Sequence, residues 1–222
     1  MPSRRSYTTV LFDIDGTLVD SNDAHADAWM KAFAEADVTV NRAEVRRSIG
    51  MGGDKLMPAV SGIEETSTLG QRISKRRKEI FTMDCLPQLQ AFRDASRLVA
   101  ALKARHMTLV AASSATRDEL EPLLRIAHAE ALLDDKTSSD DADESKPDPD
   151  IVRAALAKAK ASPGEAVMIG DTPYDIAAAT RAGVDCIAVR CGGWTDADLT
   201  GAIATYDGPW DLLATLDHSP LA

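Results

Sequence analysis

The chain has 222 residues, enough for one large domain or for one domain carrying a smaller insert, and its 45% hydrophobic content is ordinary for a protein that buries a core. Its formal net charge of −10 argues against nonspecific nucleic-acid binding, where a basic face supplies most of the affinity, and it makes long-range capture of an anion unfavourable. Any phosphate site must therefore be built locally, from a metal, a lysine and backbone amides.

Arg4 and Arg5 precede a short apolar run, Val10-Leu11-Phe12, that Asp13 and Asp15 break at once. Neither a signal peptide nor a membrane span is expected, and a cytoplasmic address is the default. Thr8 to Phe12 reads as a short buried strand closed by acidic residues and Gly16. From Asn22 to Ala36 the pattern is helical, with Trp29, Met30 and Phe33 on one side and Ser21, Asn22 or Asp23 available as the N-cap. Residues 42 to 91 are richer in charge, with apolar residues at helical spacing and glycines at 50, 52 and 53. This stretch reads as several helices forming a small insert.

Beyond it, helices are expected over 95–104, 117–127, 151–161 and 175–182, and strands over 107–112, 166–169 and 186–189. Residues 134–150 are acidic and rich in Ser, Asp and Pro, and read mostly as loop. The strands are continuous apolar runs alternating with helices, the signature of a parallel sheet covered on both faces. In such sheets ligands sit beyond the carboxyl ends of the strands. Aromatics are sparse, so Ala, Val, Leu and Ile should build the core.

The chemistry collects where those strands end. Asp13-Ile14-Asp15-Gly16-Thr17 follows the first, Ser113-Ser114 another and Gly170-Asp171 a third, while Lys146 lies in the loop between. Converging on one sheet edge, they would gather three carboxylates, hydroxyls and an ammonium. Carboxylate oxygens suit Mg²⁺, a carboxylate can attack phosphorus, and a second carboxyl can serve the leaving alcohol and then the attacking water. A lysine and a hydroxyl bind phosphoryl oxygens. Each piece alone has a plain alternative: a turn for the Asp pair, a helix cap for Ser113 and Ser114, a helix start for Asp171-Thr172-Pro173. All four pieces in a sensible order favour phosphoryl transfer.

Over nearly its whole length the chain resembles the haloacid dehalogenase superfamily. Phe12-Asp13-Ile14-Asp15-Gly16-Thr17-Leu18-Val19-Asp20-Ser21 is similar to its first motif, Ser113 falls at the second and Lys146 at the third. Gly170-Asp171-Thr172-Pro173-Tyr174-Asp175 looks like its GDxxxD fourth motif. The resemblance implies an α/β fold: a Rossmann-like parallel-sheet core from residues 1–20 and 89–222, with a small helical cap inserted over 21–88. It implies Asp13 as nucleophile and Asp15 as acid/base. It also implies Mg²⁺ held by Asp13, the Asp15 carbonyl and Asp171, with Asp175 in support. Gly16, Ser113, Ser114 and Lys146 are the candidates for the phosphoryl group.

Dehalogenases proper lack the second Asp of the first motif, because halide leaves without a proton. Asp15 therefore points to phosphate esters. β-Phosphoglucomutases share an early cap histidine, matched here by His25, but their fourth motif usually has Glu-Asp and no final acid. The phosphoglycolate-phosphatase-like group carries Gly-Asp and that final Asp, although Thr-Asn is commoner than Ser-Ser at its second motif. The expected activity is a Mg²⁺-dependent phosphatase acting through an aspartyl-phosphate on a small phosphorylated metabolite, with a sugar-phosphate mutase as the alternative. No nucleic acid or membrane partner is expected, and the protein should be a monomer or weak homodimer.

In the insert, Arg46, Arg47 and Lys55 flank the Gly50–Gly53 loop and either contact the leaving group or are solvated charges. Arg117 faces either substrate or solvent. The cluster Arg72, Lys75, Arg76, Arg77 and Lys78 reads as one exposed helix face. Asp140 to Glu144 reads as a solvated acidic segment, and Trp194 as packing at the rim. Cys85, Cys186 and Cys191 are odd in number and lack CxxC spacing, so they read as buried thiols rather than a disulfide framework.

Overall fold

The computed structural model describes residues 6–222, so Arg4 and Arg5 lie outside it. The first strand, β1 (Thr9–Phe12), is fully buried and stands near the middle of a six-stranded sheet. The others are β2 (Thr108–Ala112), β3 (Asp135–Thr137), β4 (Ala166–Gly170), β5 (Asp185–Val189) and β6 (Ala204–Tyr206). Their order is β3-β2-β1-β4-β5-β6, and every pairing among them is parallel.

Because side chains alternate across a strand, each strand feeds two cores. Val10, Phe12, Leu109, Ala111, Val167 and Ile169 face one way. Leu11, Val110, Ala112, Ala166 and Met168 face the other. The second face packs on α7 (Asp150–Ala159) and α8 (Pro173–Ala182) through Ile151, Val152 and Ile176. The first face packs on α5 (Ala95–Ala104), α6 (Arg117–Ile126) and α9 (Pro209–Ala214) through Leu98, Leu123 and Leu212. Apolar burial on both faces explains why β1, β2 and β4 read as unbroken hydrophobic runs.

Between β1 and α5 the chain forms α1 (Asn22–Glu35), α2 (Arg42–Ser48), α3 (Gly53–Ser61) and α4 (Thr68–Ile80). A π-helical turn (Phe81–Cys85) and a 3₁₀ turn (Leu86–Gln88) complete the excursion. The chain leaves and returns side by side: Val19 bridges Ala91, Asp20 N–H donates to the Gln90 carbonyl at 3.0 Å, and Phe92 N–H donates to Leu18 at 2.9 Å. No helix among the described residues is long and apolar enough to cross a membrane.

Two elements depart from expectation. β3 lies in the stretch read as loop, and β6 with α9 lies beyond the final expected strand. Both strands are three residues long and polar or half-buried, as suits the edges of a sheet, so no apolar run marks them. Part of the acidic segment is also ordered. Asp141 accepts from the Ser138 amide and hydroxyl, each at 3.0 Å, and lies 2.9 Å from Lys158 on α7. Burial would raise its pKa, but the Ser138 amide and Lys158 outweigh burial and push it down to about 2.

Its folded value lies below the ordinary 3.8, so its stabilisation is complete above roughly pH 4 and is lost as pH falls toward 2. Denaturant unfolding measured across this range should show Asp141→Asn losing less stability with acid than the parent. Parallel acid limbs would contradict this role.

Candidate active site

The strand order reverses at β1, which has β2 on one side and β4 on the other, so the crevice lies beyond their carboxyl ends. Asp13 follows β1, Ser113 follows β2 and Asp171 follows β4, as the sequence order required. Lys146 arrives from the loop before α7 through a cis Lys146–Pro147 peptide bond. Its ammonium is completely buried, 2.6 Å from Asp13 Oδ1 and 2.8 Å from Asp175 Oδ1. Replacing it with an apolar residue would leave two buried carboxylates uncompensated, at a cost of roughly 3–5 kcal/mol.

Asp175 has a second task. It is the third residue of α8, and its Oδ2 accepts from the Thr172 amide at 3.0 Å and hydroxyl at 2.7 Å. Thr172 in turn accepts from the Asp175 amide, closing a capping box with Pro173 at the first helical position. The helix start thus holds one carboxylate oxygen and leaves the other toward Lys146.

Asp171 is fully buried, and its oxygens accept from Asn22 Nδ2 at 2.9 Å and Thr17 Oγ1 at 3.2 Å. Gly16, at φ +76°, and Gly192 press against it so closely that a Cβ on either would collide with its carboxylate. Carboxylate oxygens of Asp13, Asp171 and Asp175 all lie within 4.8 Å of one another. Three buried acids and one ammonium leave an excess of negative charge, and the donor set is all oxygen. Those are the requirements of a hard divalent cation. Without such a cation, burial, partly offset by Lys146 and reinforced by Asp175 and Asp15, raises Asp13 to about 7. Burial, then Asp13 and Asp175, raise Asp171 well above the carboxylate range.

Asp15 sits in different surroundings. Ser21 Oγ donates to its Oδ1 at 2.5 Å, and His25 Nε2 lies 2.8 Å from the same oxygen. Burial would raise its pKa, but His25, Ser21 and Arg77 outweigh burial and hold it below the ordinary value. The His25 ring stacks on Phe81, with centroids 3.9 Å apart. Asp13, Asp15, His25, Ser113 and Ser114 line a cavity of about 50 Å³, roofed by the Gly50–Gly53 loop, Trp29 and Arg77.

Two of the residues singled out in the insert lie elsewhere. Arg47 pairs with Asp198 at 2.8 Å and covers the Trp194 ring at 4.5 Å, and Lys55 pairs with Glu144 and Asp148. Neither lines the cavity over Asp13. Arg117 donates its amide to Asp140 and pairs with Asp141, also away from the cavity. The basic cluster on α4 is divided: Arg76 pairs with Glu35 and Lys78 with Asp118, whereas Arg77 turns inward. Arg77 follows Ile73 by four residues and precedes Ile80 by three, both buried, so helical spacing marks it as inward-facing. Gly192 and Glu119 were not marked as site residues in the sequence because each reaches the site only through long-range folding, and Asn22 and Thr17 were marked only as a helix cap and as part of the first motif.

Residues 10–189 match the family of haloacid dehalogenase-like hydrolases, and the chain belongs to that family. A phosphoglycolate phosphatase of Rhodospirillum rubrum is 30% identical over 208 residues, covering 89% of this chain and 86% of its own. The validoxylamine A 7'-phosphate phosphatase of Streptomyces hygroscopicus subsp. limoneus is 29% identical over 184 residues, covering 82% and 84%. Among solved structures, a hydrolase from Pseudomonas syringae superposes with a TM-score of 0.88 at 29% identity, covering 95% of this chain and 98% of that one.

Gly192→Ala should push its new methyl into Asp171 while leaving the sheet intact. Titrated with Mg²⁺ and followed by thermal unfolding, the variant should lose most of any metal-induced rise in midpoint and keep its circular dichroism. An undiminished rise would contradict the cradle.

Proposed function

We propose that this chain is a Mg²⁺-dependent phosphatase of small phosphomonoesters that works through an aspartyl-phosphate on Asp13. The observation that carries the reading is that Asp13 and Asp15 line one small, roofed cavity, with Lys146 buried and paired to Asp13, beside a cluster of buried carboxylates. The two phosphatase relatives support it.

Asp13 attacks the phosphorus of the ester, and the bond to the ester oxygen breaks as the Asp13–phosphorus bond forms. The departing alkoxide takes a proton held by the Asp15–His25 pair, whose facing atoms are 2.8 Å apart. Asp15 then takes a proton from a water that attacks phosphorus, which releases inorganic phosphate and restores the Asp13 carboxylate. Lys146 orients Asp13, and Ser113 and Ser114 line the cavity as candidate donors to phosphoryl oxygens, whereas the Gly16 amide is already given to the Val19 carbonyl at 2.8 Å. Asp13, the Asp15 carbonyl and Asp171, with Asp175 in support, would hold Mg²⁺, which would offset phosphoryl charge. Residues 21–88 serve as the cap that excludes water from the cavity.

Purified protein should release phosphate from an aryl phosphate with Mg²⁺ and stop when the metal is chelated. Asp13→Asn should lower turnover by roughly 10³-fold or more. Turnover unchanged in that variant would refute the nucleophile. Isomerised product, formed only with a bisphosphate primer and without free phosphate, would establish the mutase instead.

A further inference from the structure

The small cavity over Asp13 adjoins a second one of about 290 Å³, and Gly52, Gly53, Arg77, Ser114 and Glu119 line both. On the phosphatase reading, the first receives the phosphoryl group and the second the rest of the ester. The charges around the second cavity therefore select the leaving group.

Among the described residues, Arg77 is the only Lys or Arg lining the small cavity, and its charge is already matched. Its Nη1 donates to Glu119 Oε1 at 2.6 Å, and Glu119, on α6, is only 2% exposed. The guanidinium is also seated over the Trp29 ring, 5.1 Å from its centroid, so it is held from two sides. Around the larger cavity, Asp54, Glu65, Asp143 and Glu119 outnumber Arg77 and Lys78, and Lys78 is itself paired with Asp118 at 2.9 Å.

A second anionic group on the substrate would thus meet a buried carboxylate and no unmatched cation. Repulsion of that kind is strong where water is excluded. The lining offers a different kind of contact. Arg77 Nε, Ser114 Oγ and Thr116 Oγ1 are buried and have no hydrogen-bond partner among the described residues, and all three residues line the larger cavity. One is a fixed donor and two are hydroxyls that donate or accept, a set suited to alcohol groups.

We infer that the leaving group is neutral and carries several hydroxyls, as in a sugar or polyol monophosphate, and that the Arg77–Glu119 pair with Ser114 and Thr116 recognises it. Carboxylated esters, bisphosphates and diphosphates are selected against by Glu119. This inference rests on the phosphatase reading, and it also disfavours a mutase, whose bisphosphate would set its second phosphate beside Glu119.

The test compares kcat/KM with Mg²⁺ for an aryl phosphate, glycerol and hexose monophosphates, phosphoglycolate, a hexose bisphosphate and pyrophosphate. Neutral polyol esters should exceed the anionic ones by about tenfold or more in the parent enzyme. Glu119→Gln frees the Arg77 charge and should raise the anionic-to-neutral ratio by about tenfold. Turnover of the aryl phosphate with anionic esters ahead in the parent would overturn this inference alone. So would a ratio unmoved by Glu119→Gln in a variant that still turns over the aryl phosphate. No turnover of the aryl phosphate by the parent would overturn the phosphatase reading and this inference with it.

Discussion

A lysine with no solvent exposure, held between two carboxylates, is the constraint on which the rest of the site depends. Lys146 ties the end of β1 to the start of α8 through Asp13 and Asp175, two elements distant in sequence. Burial alone would depress the ammonium's pKa, yet the two carboxylates outweigh it and keep Lys146 charged. The arrangement is still one cation against three buried acids, because Asp171 adds its charge from the end of β4. A core assembled for stability alone would not retain such an imbalance. Such an excess of buried negative charge suits the divalent ion that the proposed function calls for.

The helical insert completes the site by electrostatics as much as by shape. Residues 21–88 contain ten acidic and ten basic side chains, so the net charge of −10 resides in the rest of the chain. Their contacts follow that division: Arg47, Lys55, Arg77 and Lys78 of the insert pair with Asp198, Glu144, Glu119 and Asp118 of the sheet-bearing part. Arg46 donates to the Gly192 carbonyl at 2.7 Å, and Gly52 N–H donates to Ser145 Oγ at 3.1 Å. Most of these pairs are exposed and individually weak. The Arg77–Glu119 pair is largely buried, and both of its residues line both cavities.

The strand-and-helix order, the parallel sheet and the strand-end acids were legible in the sequence because apolar runs and their endings are local features. The acidic loop over 134–150 hid β3, since a short polar edge strand has no hydrophobic signature. Cap-like residues were legible as a class but not by task. Ser21 occupies the N-cap of α1 and gives its hydroxyl to Asp15 instead of the helix, and Asn22 gives its amide to Asp171. Arg47 and Lys55 were conspicuous beside a glycine loop, whereas the inward-facing Arg77 was concealed within a basic cluster. Glu119 could not be read as a site residue, because its importance comes from a partner 42 positions away.

The claim that Asp13 attacks phosphorus and is then regenerated can be tested on the covalent species itself. Turnover of a phosphate ester with Mg²⁺ is stopped by acid denaturation, and the digested protein is examined by mass spectrometry. The account predicts one phosphoryl group on the peptide containing Asp13, transient in the parent and absent in Asp13→Asn. A phosphoryl group on another residue, or active turnover with no trapped adduct under any quench time, would contradict it.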